Sequence, residues 1–387
     1  MTDANRSLRE AASRSDATDV RAVERLRRQF DADLVPIALE LADARTRARV
    51  KMPTIADDLI ADVEGVQMAS STAVAAWKAR RVDDVHAGRR LLDLCCGIGG
   101  DAIELARLGA PVTAVDLDDT RAWMCEQNAA VESQCADVTD DNLVSPDDLV
   151  HIDPSRRTEG KGRRRGLDEM TPPADDVARL IKRSAGAVVK LAPGVDPSEL
   201  GLGDVEFVSE HGRLTQALLW TGDLARGETA RATALPVGAT VTGEPNTLEV
   251  DDRASEWIFT VDPALERARL TGVVAHAHGL VGLAHPGTGL LTSESRVDDP
   301  WLSPFPLIER LPWSERRVKS ALRSLDAGEV VVKTRGQVVN PDKLQSTLRG
   351  KGSTTFSVFV LRLGERVEAL ICAGKPGDAS SVHPDGR

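Results

Sequence analysis

The stretch LLDLCCGIGGDAIELARLGAPVTAVDLD, residues 91–118, constrains this chain more than any other. An apolar run reaches Asp93, a glycine turn follows, a helix is predicted to begin near Gly100 or Asp101, and a second apolar run closes on Asp116. Strand, turn, helix and strand in so short a space predict one unit of a parallel sheet, whose ligands bind beyond the carboxyl ends of the strands. Gly97 and Gly99 supply backbone conformations closed to other residues and let the main chain approach a ligand closely.

From Arg89 to about Trp220, DLVHID and GAVVKLA add apolar runs suited to a sheet covered on both faces. DVEFVSE and LTQALLW predict its antiparallel edge. The expected fold class is α/β, a Rossmann-like sheet of seven strands. Residues 1–85 carry amphipathic helical patterns, among them RAVERLRRQF and TAVAAWKARR, and predict a small helical domain before the sheet domain of 86–222. Residues 223–305 read as a connecting segment with short strands and a helix. The stretch Leu290–Pro312, rich in Pro, Ser and Asp, is expected to cross between folded units. Residues 306–375 predict a compact α/β module, and 376–387 a disordered tail.

Composition narrows the function. A formal charge of -11 over 387 residues argues against general nucleic-acid affinity, although RRTEGKGRRR, from Arg156 to Arg165, concentrates six basic residues in ten. Cys95, Cys96, Cys125, Cys135 and Cys372 do not fall into the paired spacing of a zinc site or a disulfide scaffold. His276, His278 and His285 cluster without a carboxylate or cysteine to complete a ligand series, so no metal is expected. No run reaches roughly 18 apolar residues and no apolar leader opens the chain, so neither a membrane nor a DNA partner is expected, and the cytoplasm is the expected compartment.

The charges around the glycine turn select its ligand. A dinucleotide fingerprint is G-x-G-x-x-G, with the pyrophosphate at a helix start, whereas here Gly97, Gly99 and Gly100 read G-x-G-G. Asp93 repels a pyrophosphate but suits the positively charged aminoacyl end of S-adenosylmethionine. Asp116, 19 residues after Gly97, is placed to accept bonds from ribose hydroxyls, an arrangement shared with dinucleotide enzymes. Asp137, after the third predicted strand, is a candidate acceptor for the adenine amino group. Cys95 in the turn and Leu117 beside Asp116 complete the expected cofactor contacts. Asp118 reads as a helix cap or the rim of the adenosine pocket, and Gln67–Ser71 as a pocket closure or a cap.

DLCCGIGGDAIELA with VTAVDLD resembles the first two motifs of class I S-adenosylmethionine-dependent methyltransferases, and CADV is similar to their third. QMASSTAVAAWKARR, IDPSRRTEGKGRR, VVKLAPG, HGRLTQALLW, VVVKTRG and LRGKG together resemble the bacterial methyltransferases that carry a THUMP-like domain, from about residue 20 to 375. The resemblance implies methyl transfer from S-adenosylmethionine, and its THUMP-like part implies RNA binding.

The fourth predicted strand delivers Asp153-Pro154-Ser155-Arg156-Arg157 to the same sheet edge. Asp153 is placed to orient an acceptor nitrogen or take its proton, with Pro154 restricting the backbone beside it. DPSRR is similar to the D/N-P-P-aromatic tetrads of enzymes that methylate exocyclic amines of bases, but Arg156 stands where the aromatic would stack. It is also similar to the D-P-P-R of RNA uracil C5 methyltransferases, yet VVKLAPG offers no cysteine nucleophile after the fifth strand, which favours a nitrogen acceptor. Arg156, Arg157, Arg163 and Arg164 are the expected basic rim for RNA phosphates, joined by Lys333, Arg335 and Lys351, which bracket glycines in VKTRG and LRGKG. Between Arg310 and Lys375 thirteen Lys and Arg face six Asp and Glu. Lys190 is placed either near the site or at the sheet edge, and His151 reads as a satisfied residue within its strand. Methylation of a small anionic metabolite clamped by Arg156 or Arg157, or a noncatalytic RNA-binding scaffold, remain the competing readings.

Overall fold

The computed structural model describes residues 3–15, 18–156, 170–194, 201–285 and 287–374. Two compact units emerge, residues 1–205 with 216–227, and residues 206–215 with 228–387.

The first unit opens with helices α1 (Asp3–Ser13), α2 (Val20–Gln29), α3 (Leu34–Lys51), α4 (Val63–Met68) and α5 (Thr72–Asp83). They share a unit with the sheet that follows, so the helical domain expected over 1–85 belongs to the same body. Ser71 caps α5 by accepting from Val74 N at 3.3 Å. Strands β1 (Leu91–Leu94), β2 (Val112–Asp116), β3 (Glu132–Cys135) and β4 (Leu149–Ile152) come next, with α6 (Ala102–Ala106) after β1 and α7 (Asp119–Ala129) after β2. Asp118 caps α7 through Thr120 N and Arg121 N, the first of the two roles expected of it. A short ribbon, β5 (Ser155–Arg156) with β6 (Met170–Thr171), precedes α8 (Ala174–Arg183) and β7 (Gly186–Leu191).

Strands β8 (Asp204–Glu210) and β9 (Arg213–Gly222) turn at His211–Gly212, and β10 (Ala230–Leu235) and β11 (Ala239–Gly243) follow. The sheet order is β11-β10-β8-β9-β7-β4-β1-β2-β3, in which β8-β9-β7-β4-β1-β2-β3 make the seven strands expected and β10 and β11, from residues assigned to the second unit, extend the edge. The extra pair comes from RATALPVGATVTG, where β10 pairs in parallel with β8 and β11 closes the edge antiparallel to β10. β1 pairs with β2 on one side and β4 on the other, all parallel, so the strand order reverses at β1 and opens a crevice at its carboxyl end. β1 and β4 are buried throughout, as a doubly covered sheet requires.

The second unit carries an eight-stranded sheet. Its elements are β12 (Val250–Asp251), β13 (Trp257–Val261), α9 (Pro263–Arg267), α10 (Thr271–His278), β14 (Val281–Leu283), β15 (Leu290–Ser293), β16 (Leu302–Pro312), α11 (Glu315–Ser324), β17 (Ala327–Thr334), α12 (Pro341–Leu348), β18 (Thr354–Leu363) and β19 (Arg366–Ala373). The order β12-β14-β15-β13-β16-β19-β18-β17 joins the expected connecting segment and the expected module in one sheet. The expected crossing at Leu290–Pro312 is instead two strands, because β16 pairs antiparallel with β13 through one half and with β19 through the other. One face of this sheet packs Val318 and Leu322 of α11 and Leu344 and Leu348 of α12 against Val330, Phe356, Val358 and Ile371. The opposite face buries Phe359, Leu361 and Leu370 against Ile258, Leu283, Leu290 and Phe305.

Candidate active site

The turn after β1 is built by backbone geometry that few residues adopt. Cys95 sits at φ 60°, Gly97 at 55° and Gly99 at 86°. A methyl on Gly97 would meet nothing within 4 Å, so that glycine borders open space, whereas one on Gly99 would lie 2.9 Å from Cys125 Sγ. The turn is tied to β2 by Cys96 N donating to Val115 O at 3.1 Å and Gly97 N to Asp116 Oδ2 at 2.9 Å. Asp116 Oδ1 accepts from Asp118 N at 3.1 Å, and Leu117 between them is exposed. Asp137, exposed after β3, accepts from Thr139 N and Oγ1, which holds its carboxyl below the usual range.

The N-terminal helices brace this turn. Asn128 of α7 donates to Ile98 O and Ile60 O and accepts from Ile60 N. Gly65 of α4 lies so close that an added methyl would fall 2.4 Å from Ile98 Cγ2. Lys51 gathers the carbonyls of Val66, Gln67 and Ala69 at the end of α4. Arg81 of α5 stacks on Trp220 of β9 at 4.5 Å and pairs with Asp204 at 3.0 Å, fixing that helix against the sheet.

Beneath the turn lies a buried charged cluster. Lys78 of α5 reaches Asp101 Oδ1 at 2.5 Å, Ser70 Oγ at 3.1 Å and His151 Nε2 at 2.9 Å. Ser70 Oγ donates to Asp101 Oδ2 at 2.9 Å, and His151 Nδ1 stands 2.7 Å from Asp93 Oδ1. Asp93 Oδ2 is buried and has no hydrogen-bond partner among the described residues. Burial pushes the Asp93 carboxyl up, with His151 opposing that shift. Burial also opposes charge on Asp101, yet the Lys78 ammonium beside it holds its carboxyl well below the usual range. Burial pulls the Lys78 ammonium down, against the attraction of Asp101.

At the exit of β4, Asp153 N donates to Leu94 O at 3.1 Å, which sets the residue beside the end of β1. Lys190 of β7 donates to Asp153 Oδ2 at 2.6 Å and to Met68 O at 2.8 Å. Burial alone would lower that ammonium, but Asp153 and Asp101 hold it above the ordinary lysine value. The structure thus brings Asp93, Cys95, Gly97, Gly99, Asp116, Leu117, Asp153 and Pro154 to one sheet edge. Arg156 belongs to β5, while Arg157, Arg163 and Arg164 lie outside the described residues. Lys190 takes the first of its two expected places, near the site, while Lys78 lies in TAVAAWKARR and Asp101 in DLCCGIGGDAIELA, motifs that predict no site role for either. Ser70 falls in Gln67–Ser71, the stretch expected to close the pocket or cap a helix.

In the second unit Lys333 lies over the Phe305 ring at 5.7 Å, and burial lowers its ammonium. Arg335 donates to Thr288 O at 2.6 Å and Thr334 O at 3.2 Å, while Lys351 is exposed. Arg316, Arg317, Arg323, Lys343 and Arg349 are exposed as well, and among the described residues none of these five, nor Lys351, forms an ion pair.

A parallel sheet that reverses its strand order at a glycine turn, with an acid closing the second strand, defines the Rossmann-like class of nucleoside-binding enzymes. Known proteins narrow it. Residues 302–374 match the family described as THUMP domain-like, and residues 88–140 match the family described as RNA cap guanine-N2 methyltransferase. An uncharacterized S-adenosylmethionine-dependent methyltransferase of Mycobacterium tuberculosis is 32% identical over 361 residues, spanning 88% of this chain and 97% of the relative. A 23S rRNA (uracil(1939)-C(5))-methyltransferase of Shewanella amazonensis is 37% identical over 83 residues, 19% of each chain. A crystal structure assigned as a methyltransferase from Porphyromonas gingivalis W83 shares the fold with a TM-score of 0.74 at 18% identity, over 96% of this chain and 97% of that one. The chain belongs to the S-adenosylmethionine-dependent methyltransferases, with a THUMP-like domain over residues 302–374.

Proposed function

We propose that this enzyme methylates a nitrogen of an RNA base, with Asp153 orienting the acceptor. The observation that carries the reading is the Asp153–Lys190 pair beside the turn. Lys190 fixes one carboxylate oxygen, and among the described residues no partner takes Oδ1, which is left to accept an N–H of the acceptor. Because Lys190 already occupies one carboxylate oxygen and leaves the other facing the acceptor, the role supported for Asp153 is orientation and stabilisation of charge growing on the nitrogen.

The residues of the turn fit S-adenosylmethionine. Gly97 borders open space, Asp93 keeps a buried oxygen in want of a cationic donor, and Asp116 retains lone pairs at the end of β2. Exposed Leu117 offers an apolar face for the adenine, and Asp137 stands after the next strand. When bound, that cofactor supplies a methyl carbon on a sulfonium leaving group. The chain's own residues bind, align and dry the acceptor against it.

Three observations support RNA over a metabolite: the match of 88–140 to an RNA-modifying family, the THUMP-like match, and six exposed cations of the second unit that form no ion pair among the described residues. Two features favour nitrogen over carbon. Burial and the carboxylates of Asp116 and Asp153 push the Cys95 thiol far up, and residues 192–194 after β7 hold no cysteine, so neither the turn nor the exit of β7 supplies a thiolate to activate a uracil ring.

The test incubates purified protein and radiolabelled methyl donor with separated RNA and metabolite pools from cells lacking the gene. Label on a base nitrogen is expected, and Asp153→Ala should lower its transfer about a hundredfold while cofactor affinity stays within about twofold. Label on uracil C5 or on a small molecule would overturn the reading.

A further inference from the structure

The buried cluster beneath the turn has a donor order that leaves little freedom. The Lys78 ammonium has two hydrogen-bonding neighbours, Ser70 Oγ and His151 Nε2, and forms an ion pair with Asp101 Oδ1. Ser70, having accepted from Lys78, donates its own proton to Asp101 Oδ2. With Lys78 donating at Nε2, which also lies 3.5 Å from Asp101 Oδ2, the ring proton of His151 falls on Nδ1, where it donates to Asp93 Oδ1. The relay begins on α5, passes through β4 and ends on β1, and every side chain in it is buried. Its last atom, Asp93 Oδ2, is the one oxygen of this carboxylate with nothing to accept.

An ionised oxygen in so dry a place is costly unless a donor arrives, and a cationic donor offsets that cost best. S-adenosylmethionine and its demethylated product each carry one ammonium, on the aminoacyl end. We infer that His151 is a positioning residue for the cofactor: held in its Nδ1–H form by Lys78, it turns Asp93 so that the second oxygen is reserved for the aminoacyl ammonium. The acceptor plays no part in this inference, which stands whether the methyl group goes to RNA or elsewhere.

The probes are S-adenosylhomocysteine, which has the aminoacyl end, and 5′-methylthioadenosine, which lacks it. Calorimetry on the full chain should show His151→Leu weakening S-adenosylhomocysteine at least tenfold, with 5′-methylthioadenosine changed by less than about twofold. His151→Asn, whose amide nitrogen stands near the Nδ1 position, should recover most of the loss. Equal losses for both ligands would show that the histidine merely supports the fold and would overturn the inference, as would undiminished binding of S-adenosylhomocysteine. A second measurement needs no folded variant of the leucine type. In wild-type protein labelled with nitrogen-15 histidine, and with His151 assigned by the asparagine variant, the ring should show a protonated Nδ1 and a bare Nε2; the opposite tautomer or an imidazolium sinks the relay.

Discussion

At the residue scale the two glycines of the turn separate folding from binding. Gly99→Ala places a methyl 2.9 Å from Cys125 Sγ and 3.1 Å from its Cα, at φ 86°. It should cost about 2 to 3 kcal/mol in urea unfolding, from overpacking added to backbone strain. Gly97→Ala meets no atom, so its stability cost should stay near 1 kcal/mol, while cofactor affinity measured by calorimetry falls by tenfold or more because the methyl occupies the open side. Asp101 gives a test in pH. Its folded carboxyl is depressed below the ordinary 3.8, so the stability it contributes is present above that value and is lost as pH falls toward the folded one. Asp101→Asn leaves Lys78 buried without its counter-ion and should cost about 3 kcal/mol at pH 7, a deficit that shrinks once the buffer drops below pH 4. These effects divide what the sequence made legible from what it hid. Gly97, Gly99 and Asp116 lie within twenty residues and announce themselves through local spacing. Lys78, Asp101, His151 and Lys190 come from four parts of the chain, and no local spacing shows that they meet; only the sheet order brings them together.

At the element scale, strand periodicity carried most of the first sheet, since β1, β2, β4 and β7 are apolar runs of the kind a doubly covered sheet demands. RATALPVGATVTG reads as a strand and turn within the connecting segment, and periodicity alone does not show that its two strands extend the edge of the first sheet. The Pro-rich stretch that forms β16 misled for a different reason. Pro304 and Pro306 argue against a central strand, yet they face Phe259 and Trp257 in an antiparallel register, and Phe305 between them is fully buried. Helix α11 offers the element-scale prediction. Val318 and Leu322 anchor one face while Arg316, Arg317 and Arg323 lie exposed on the other. Replacing the three arginines with glutamate should leave thermal unfolding within about 2 °C and should weaken RNA binding in fluorescence anisotropy, with a shallower salt dependence. Unchanged affinity and slope would remove this helix from the RNA surface.

At the scale of the whole molecule, the chain passes between its two units at 205, 215 and 227, so no single cut separates them. A boundary drawn at residue 222 strips β8 of β10 and leaves the buried Glu206 without Thr233 and Arg231, its partners on that strand. Such a fragment should precipitate more readily, or bind more of a hydrophobic dye, than the intact chain under the same conditions. The double burial of the second sheet has a further consequence. Residues 302–374 have the length and pattern of a portable module, but Phe359, Leu361 and Leu370 find their cover in strands that precede it. Transplanted onto another protein, that stretch would carry an oily underside with it; whatever it contributes to recognition is inherited together with residues 254–290, as one piece.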